Sequence, residues 1–101
     1  MLRSLKTPDV AYSAAFNHEG SSLAIGSRFE TVILLDPYTG KNIATFTPHT
    51  ESELLEMSKL TNEPTAKKVR ALAFNPQDTI LAAGSDGLIR LWDTATKNYY
   101  A

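Results

Sequence analysis

The chain of 101 residues contains no cysteine. That absence excludes disulfides, thiolate zinc sites and a cysteine nucleophile, and it suits a reducing compartment. An excess of charge of either sign is missing too. Ten basic and eleven acidic side chains leave a formal net charge of −1, which gives no electrostatic case for nucleic acid or an anionic membrane as a partner. Long apolar runs are absent. The longest, such as Val32–Leu35, reach four residues, far short of the ~20 residues of a membrane-spanning helix. The opening MLRSLKTPDV has no apolar stretch of the secretory type, so cytosol or nucleus is the expected location. There are two histidines and no glycine-rich phosphate loop, nucleophile elbow or paired-carboxylate motif. No catalytic, cofactor or metal site is therefore expected, and the chain does not read as an enzyme.

What is present is a repeat. YSAAFNHEGSSLAIGS (Tyr12–Ser27) lies over RALAFNPQDTILAAGS (Arg70–Ser85), placing Phe16 on Phe74, Asn17 on Asn75, Leu23 on Leu81 and Gly26 on Gly84, an offset of 58 (74 − 16). Further on, VILLDPYTG (Val32–Gly40) lies over IRLWDTATK (Ile89–Lys97) at an offset of 57 (93 − 36), so the first copy has one extra residue at its central turn. Each copy reads as short strands parted by turns rich in Gly, Pro, Asn and Asp. The expected strands are Tyr12–Phe16, Ser22–Ser27, Thr31–Leu35 and Lys41–Phe46, then Val69–Phe74, Ile80–Gly84 and Leu88–Trp92. Asp86-Gly87 is a strong hairpin signal. The unbroken apolar run Val32–Leu35 implies a strand buried on both faces. Asp36 and Asp93 read as turn-closing carboxylates, and His18 as a solvated turn residue.

Between the copies the pattern changes. Thr50–Glu53 (TESE) fits a capping box, and Leu54, Met57 and Leu60 recur at helical spacing until Pro64. A helix is expected near Ser52–Leu60.

The second copy resembles the WD40 repeat, with a small-residue strand and a closing Trp-Asp in LIRLWD (Leu88–Asp93). TPHT (Thr47–Thr50) stands where that family has Gly-His-Thr. Setting aside Glu53–Lys68 as an insertion brings the offset to 42 (58 − 16), inside the ~40–45 residues of that repeat. The first copy is degenerate: Leu35 replaces the Trp and Arg28-Phe29-Glu30 replaces the Asp-Gly turn. The resemblance implies an all-β fold: two four-stranded antiparallel propeller-type blades with a short helix inserted between them. It divides the chain into 1–10, an N-terminal arm or outer strand of a preceding blade, 11–52, the first repeat, 53–68, the insertion, and 69–101, the second repeat. Asn98–Ala101 would begin another outer strand.

In that family a His, Ser, Asp and Trp can share a buried hydrogen-bond network; the resemblance places His49, Asp86 and Trp92 there, and for the fourth member either Ser85, one residue out of register in the short turn, or Gly84 in its place. Glu51, Glu53 and Glu56 read as a solvated helix face or, on the rim where such proteins dock partners, as a partner contact. The expected role is non-enzymatic protein binding. A propeller takes ~4–8 blades and about two are encoded. The chain is thus expected to be part of a longer propeller, to form a homo-oligomer, or to be completed by blades of other chains.

Overall fold

The structure, a computed structural model, describes residues 5–7, 10–58, 68–85 and 87–98, with the backbone alone for residues 51, 54, 57 and 58. Its elements run β1 (Ser13–Phe16), β2 (Leu23–Gly26), β3 (Val32–Leu35), β4 (Asn42–Phe46), α1 (Glu51–Ser58), β5 (Ala71–Phe74), β6 (Ile80–Ser85) and β7 (Leu88–Asp93). The strands form two antiparallel meanders, one of four strands in the order β1-β2-β3-β4 and one of three in the order β5-β6-β7. A fourth strand in the second sheet is expected at 98–101, and 99–101 lie outside the described residues. No described helix is long and apolar enough to cross a membrane. Residues 5–7, where an outer strand is expected, are irregular.

The turns reproduce the repeat atom by atom. Asn17 N–H donates to the Ser22 carbonyl at 3.0 Å, and Asn75 N–H to that of Ile80 at 3.0 Å. The Asn17 and Asn75 side-chain oxygens accept from the backbone N–H of Ser22 and Ile80 at 3.0 and 2.9 Å. In each turn a short amide oxygen, beside the backbone bond, holds the far end of the loop five residues on. The closing turns match as well. Asp36 Oδ1 accepts from Tyr38 N–H and Thr39 N–H, as Asp93 Oδ1 does from Ala95 N–H and Thr96 N–H. Gly40 and Lys97 both take a left-handed φ, of 77° and 66°. Asp93 N–H bonds the Asn98 carbonyl just as Asp36 N–H bonds that of Lys41.

Alternation along the strands sorts each sheet into two faces. In the first, the register puts Phe16, Leu23 and Leu35 in one cross-strand row and Ile25 and Ile33 in the next. Ala24, Val32, Leu34, Ala44 and Phe46 occupy the opposite face and meet Val69, Leu81, Ala83 and Trp92 of the second sheet in one core. β3 is buried throughout, as its unbroken apolar run requires. Trp92 is 1% exposed and tilts at 48° against Phe46, ring centroids 5.7 Å apart. Along the seam β1 lies beside β5. There Ser13 Oγ donates to the Val69 carbonyl at 2.8 Å and Val69 N–H donates to that of Ser27 at 2.9 Å. A Cβ on Gly26 would collide with Ser13 Oγ and would lie 2.7 Å from Val69 Cγ1 and 2.8 Å from the Val69 carbonyl oxygen. Gly26 therefore sets how closely the sheets approach.

The helix begins at Glu51, one residue before the expected start, because Thr50 is its cap. Thr50 Oγ1 accepts from Glu53 N–H at 3.2 Å, and Glu53 Oε1 accepts from Thr50 N–H at 2.8 Å, the reciprocal pair of a capping box. The expected end at Leu60 lies outside the described residues.

Trp92→Ala is expected to lower unfolding free energy by about 3–5 kcal/mol, the usual cost of emptying a buried aromatic site; urea titration measures it, and a loss under ~1 kcal/mol would contradict the placement of Trp92. Gly26→Ala is expected to cost about 1–3 kcal/mol through overpacking. Gly84→Ala, whose new Cβ meets only Ala71 Cβ at 3.6 Å and the Ala71 carbonyl at 4.0 Å, should change the stability of the dilute chain by less than ~0.5 kcal/mol.

Candidate functional site

Of the residues singled out by resemblance, Trp92 lies in the seam between the sheets. Trp92 is placed there by register: β7 sets it opposite Leu81, on the face that meets Phe46. Ser85 ends β6, opposite Leu88. His49 lies half-buried in the bend after β4, its N–H donating to Thr47 Oγ1 at 3.2 Å. Asp86 lies outside the described residues, so a four-residue network remains an expectation. Of the acidic residues, Glu53 and Glu56 are exposed and the side chain of Glu51 is outside the described set. Capping holds the Glu53 carboxyl below the usual carboxylate range, first through the bond from Thr50 N–H and then through the Thr50 hydroxyl. Among the described residues no group of three or more His, Cys, Asp or Glu could hold a metal ion.

Two polar cross-links across the seam escaped the sequence reading. The first joins the two Asn turns. The Asp78 carboxylate accepts from His18 N–H at 2.9 and 3.0 Å and from Glu19 N–H at 3.3 Å, and it lies 2.8 Å from His18 Nδ1. His18 is 55% exposed, yet Asp78 is only 10% exposed, so His18 is more than a solvated turn residue: it contacts the other sheet. Asp78 has a φ of 58° where the first copy has Gly20 at 74°. Asp tolerates this left-handed region better than most residues, and the substitution sets a carboxylate facing the neighbouring turn.

The second cross-link joins Arg90 of β7 to Glu30, Nε to Oε2 at 3.1 Å, with side-chain exposures of 20% and 11%. Alternation carried a signal for it: Arg90 shares a face with Trp92, and a charge on a buried face needs a partner. Its acceptor stands on an unusual turn. Phe29 and Glu30 both take left-handed φ values, 60° and 57°, between Arg28 and Thr31, whose N–H bonds the Arg28 carbonyl at 3.3 Å. Three residues, Arg28, Phe29 and Glu30, part Ser27 from Thr31, whose carbonyl accepts from Ser27 N–H at 2.9 Å, and two successive positive φ angles are ones that glycine or asparagine normally fills. Phe29 is buried, and the Arg28 guanidinium lies over its ring at 5.0 Å.

On the far face of the first sheet lies a cavity of about 540 Å³, walled by Phe16, Leu23, Ile25, Leu35 and Tyr38 and flanked by Leu5 and Thr7. Its walls are apolar and offer no charged group.

The bond from His18 N–H, followed by those from the His18 ring and Glu19 N–H, holds the Asp78 carboxyl below its ordinary range. A carboxyl depressed on folding adds stability above its unfolded-state pKa and loses it as pH falls through the lower folded value. Asp78→Asn, which keeps the left-handed preference but removes the charge, should melt lower than the parent at neutral pH. The gap should narrow as pH drops below about 4. A gap independent of pH, followed by thermal melts across that range, would show that the charge contributes nothing.

No curated protein is similar enough to the chain to count as a match. Residues 56–93 match the family model described as WD domain, G-beta repeat. The matched segment covers β5, β6 and β7, takes in residues 56–68, which the sequence reading set aside as an insertion, and begins beyond His49. Antiparallel strands that end in Trp92-Asp93 agree with that description, so residues 56–93 are similar to a WD domain, G-beta repeat, and the chain is consistent with the WD40-repeat family.

Proposed function

We propose that the chain is a non-enzymatic protein-interaction scaffold made of two propeller-type blades, the first a degenerate WD40 repeat. WD40 repeats generally serve as binding modules rather than catalysts. The observation that carries this reading is the stacking of two sheets whose turns agree bond for bond (Asn17 with Asn75, Asp36 with Asp93). α1 and the residues up to Lys68 are taken as a graft on the connection between the blades. The network of His49, Ser85, Asp86 and Trp92 is taken to lock the second blade, and the cell interior, cytoplasm or nucleus, is taken as its place of work.

A second reading, a subunit completed by blades from other chains, draws support from the apolar outward faces. Phe16 is 60% and Ile89 66% exposed, and exposed apolar patches on sheets mark interaction surfaces.

Glu51, Glu53 and Glu56 are assigned as the partner contact on α1. Panning the purified chain against a displayed random peptide library should enrich basic peptides. The double variant Glu51→Lys, Glu56→Lys, which spares the capping Glu53, should bind them at least about tenfold more weakly, since like charges then face each other. Enrichment no greater than on an unrelated immobilised protein would defeat the scaffold reading. Equal binding by the variant would remove the acidic contact from it.

A further inference from the structure

The seam between the two sheets has two sides, and both recur, unused, on the outside of the molecule. On one side, the first sheet contributes Ala24, Val32 and Leu34. At the repeat offsets these positions are Ala82, Ile89 and Leu91 of the second sheet, and register puts Ala82 and Leu91 in one row and Ile89 with Gly84 in the next, on the face turned away from the seam. On the other side, the second sheet contributes Phe74, Leu81 and Trp92. Their counterparts Phe16, Leu23 and Leu35 form the row that walls the outer cavity. The backbone approach recurs too. Gly26 gives its Cβ space to Val69, whereas its counterpart Gly84 meets no more than Ala71. The counterpart of Val69 is the exposed Ala11.

We propose that copies of this chain dock head to tail, the outer face of the second sheet of one copy seated on the outer face of the first sheet of the next, by the contact that joins the two sheets within one chain. The occupant of each exposed face is a second copy because the same chain already carries a complementary surface: Ala for Ala, Ile for Val and Leu for Leu on one side, Phe for Phe, Leu for Leu and Leu for Trp on the other, while Ala44 and Phe46 have no counterpart among the described residues. Leu5 and Thr7, which flank the cavity in the single chain, give way to the incoming sheet. The contact is heterologous, and such contacts close into rings when the rotation permits. At two sheets per copy, a ring of ~4–8 sheets takes about two to four copies. The polar cross-links are not repeated: Asp78 corresponds to Gly20, Arg90 to Ile33 and Glu30 to Gly87. The contact between copies is thus apolar and weaker than the internal one. The inference rests on the scaffold reading only in treating the two sheets as repeats.

The test is a mixing experiment on purified chains, independent of any peptide binding. Ile89→Asp blocks the outer face of the second sheet and Phe16→Asp that of the first; both sites are largely exposed, so each variant should keep the parental circular dichroism spectrum. Sedimentation velocity should show the parent as a multiple of the chain mass, each variant alone at one chain mass, and an equimolar mixture at two. As a milder measurement, Ala11→Cys and Ala71→Cys, counterparts of the Val69 and Ser13 pair in contact at 2.8 Å, should form a mixed disulfide with each other under mild oxidation and little homodimer alone. The cysteine-free parent makes that bond unambiguous. A parent chain that remains at one chain mass while folded, variants that associate alone as the parent does, or cysteine variants that fail to cross-link would each overturn the proposal. Peptide capture that survives any of these outcomes leaves the scaffold reading standing.

Discussion

Everything in this molecule depends on the burial of one sheet face against another. A four-stranded and a three-stranded meander are each too thin to enclose a core, and an isolated hairpin is marginal in water. The structure resolves this by pressing Ala24, Val32, Leu34, Ala44 and Phe46 against Val69, Leu81, Ala83 and Trp92. Phe46 and Trp92 are the largest side chains fully buried there. The small residues let the backbones come close enough for the rings to touch, with Gly26 against Val69 the tightest point. Helix α1 is capped by its own Thr50 and Glu53.

Polar contacts at the seam do a different task. An apolar contact between two pleated surfaces is tolerant of sliding and of rotation. The His18–Asp78 and Glu30–Arg90 contacts fix one register. Buried or half-buried ion pairs contribute little net stability against their desolvation, yet breaking one partner is costly. They therefore penalise misalignment more than they reward correct docking. Because neither pair recurs at the equivalent outer positions, they also distinguish the contact within a chain from any contact between chains.

The strands and their turns were legible in the sequence because they are local. Asn17 and Asn75 close their loops by bonds to Ser22 and Ile80, five residues on, without reference to the rest of the chain. Asp36 and Asp93 close theirs in the same way. The helix start was one residue out, although Thr50 as cap places the first helical residue at Glu51. The pairings in the cross-links were not legible: alternation marks Arg90 as a charge that needs a partner without naming Glu30, and His18 and Asp78 become neighbours only after two sheets sixty residues apart have stacked. The turn at Phe29-Glu30 gave no warning either. It contains no glycine, and nothing in Arg28-Phe29-Glu30 marks Phe29 and Glu30 for positive φ. Of the residues proposed for the buried network, Trp92 stands where alternation put it, while Asp86 is outside the described residues.

That turn has a consequence for how the halves communicate. Holding Phe29 and Glu30 left-handed costs about 1–2 kcal/mol each, and such backbone survives only where its surroundings over-determine it. One of those surroundings is Arg90, which belongs to the other sheet. Separation of the sheets would release Glu30 and remove part of what keeps the tip wound in that sense. The winding of the tip and the contact between the two halves thus meet in one side chain, Glu30.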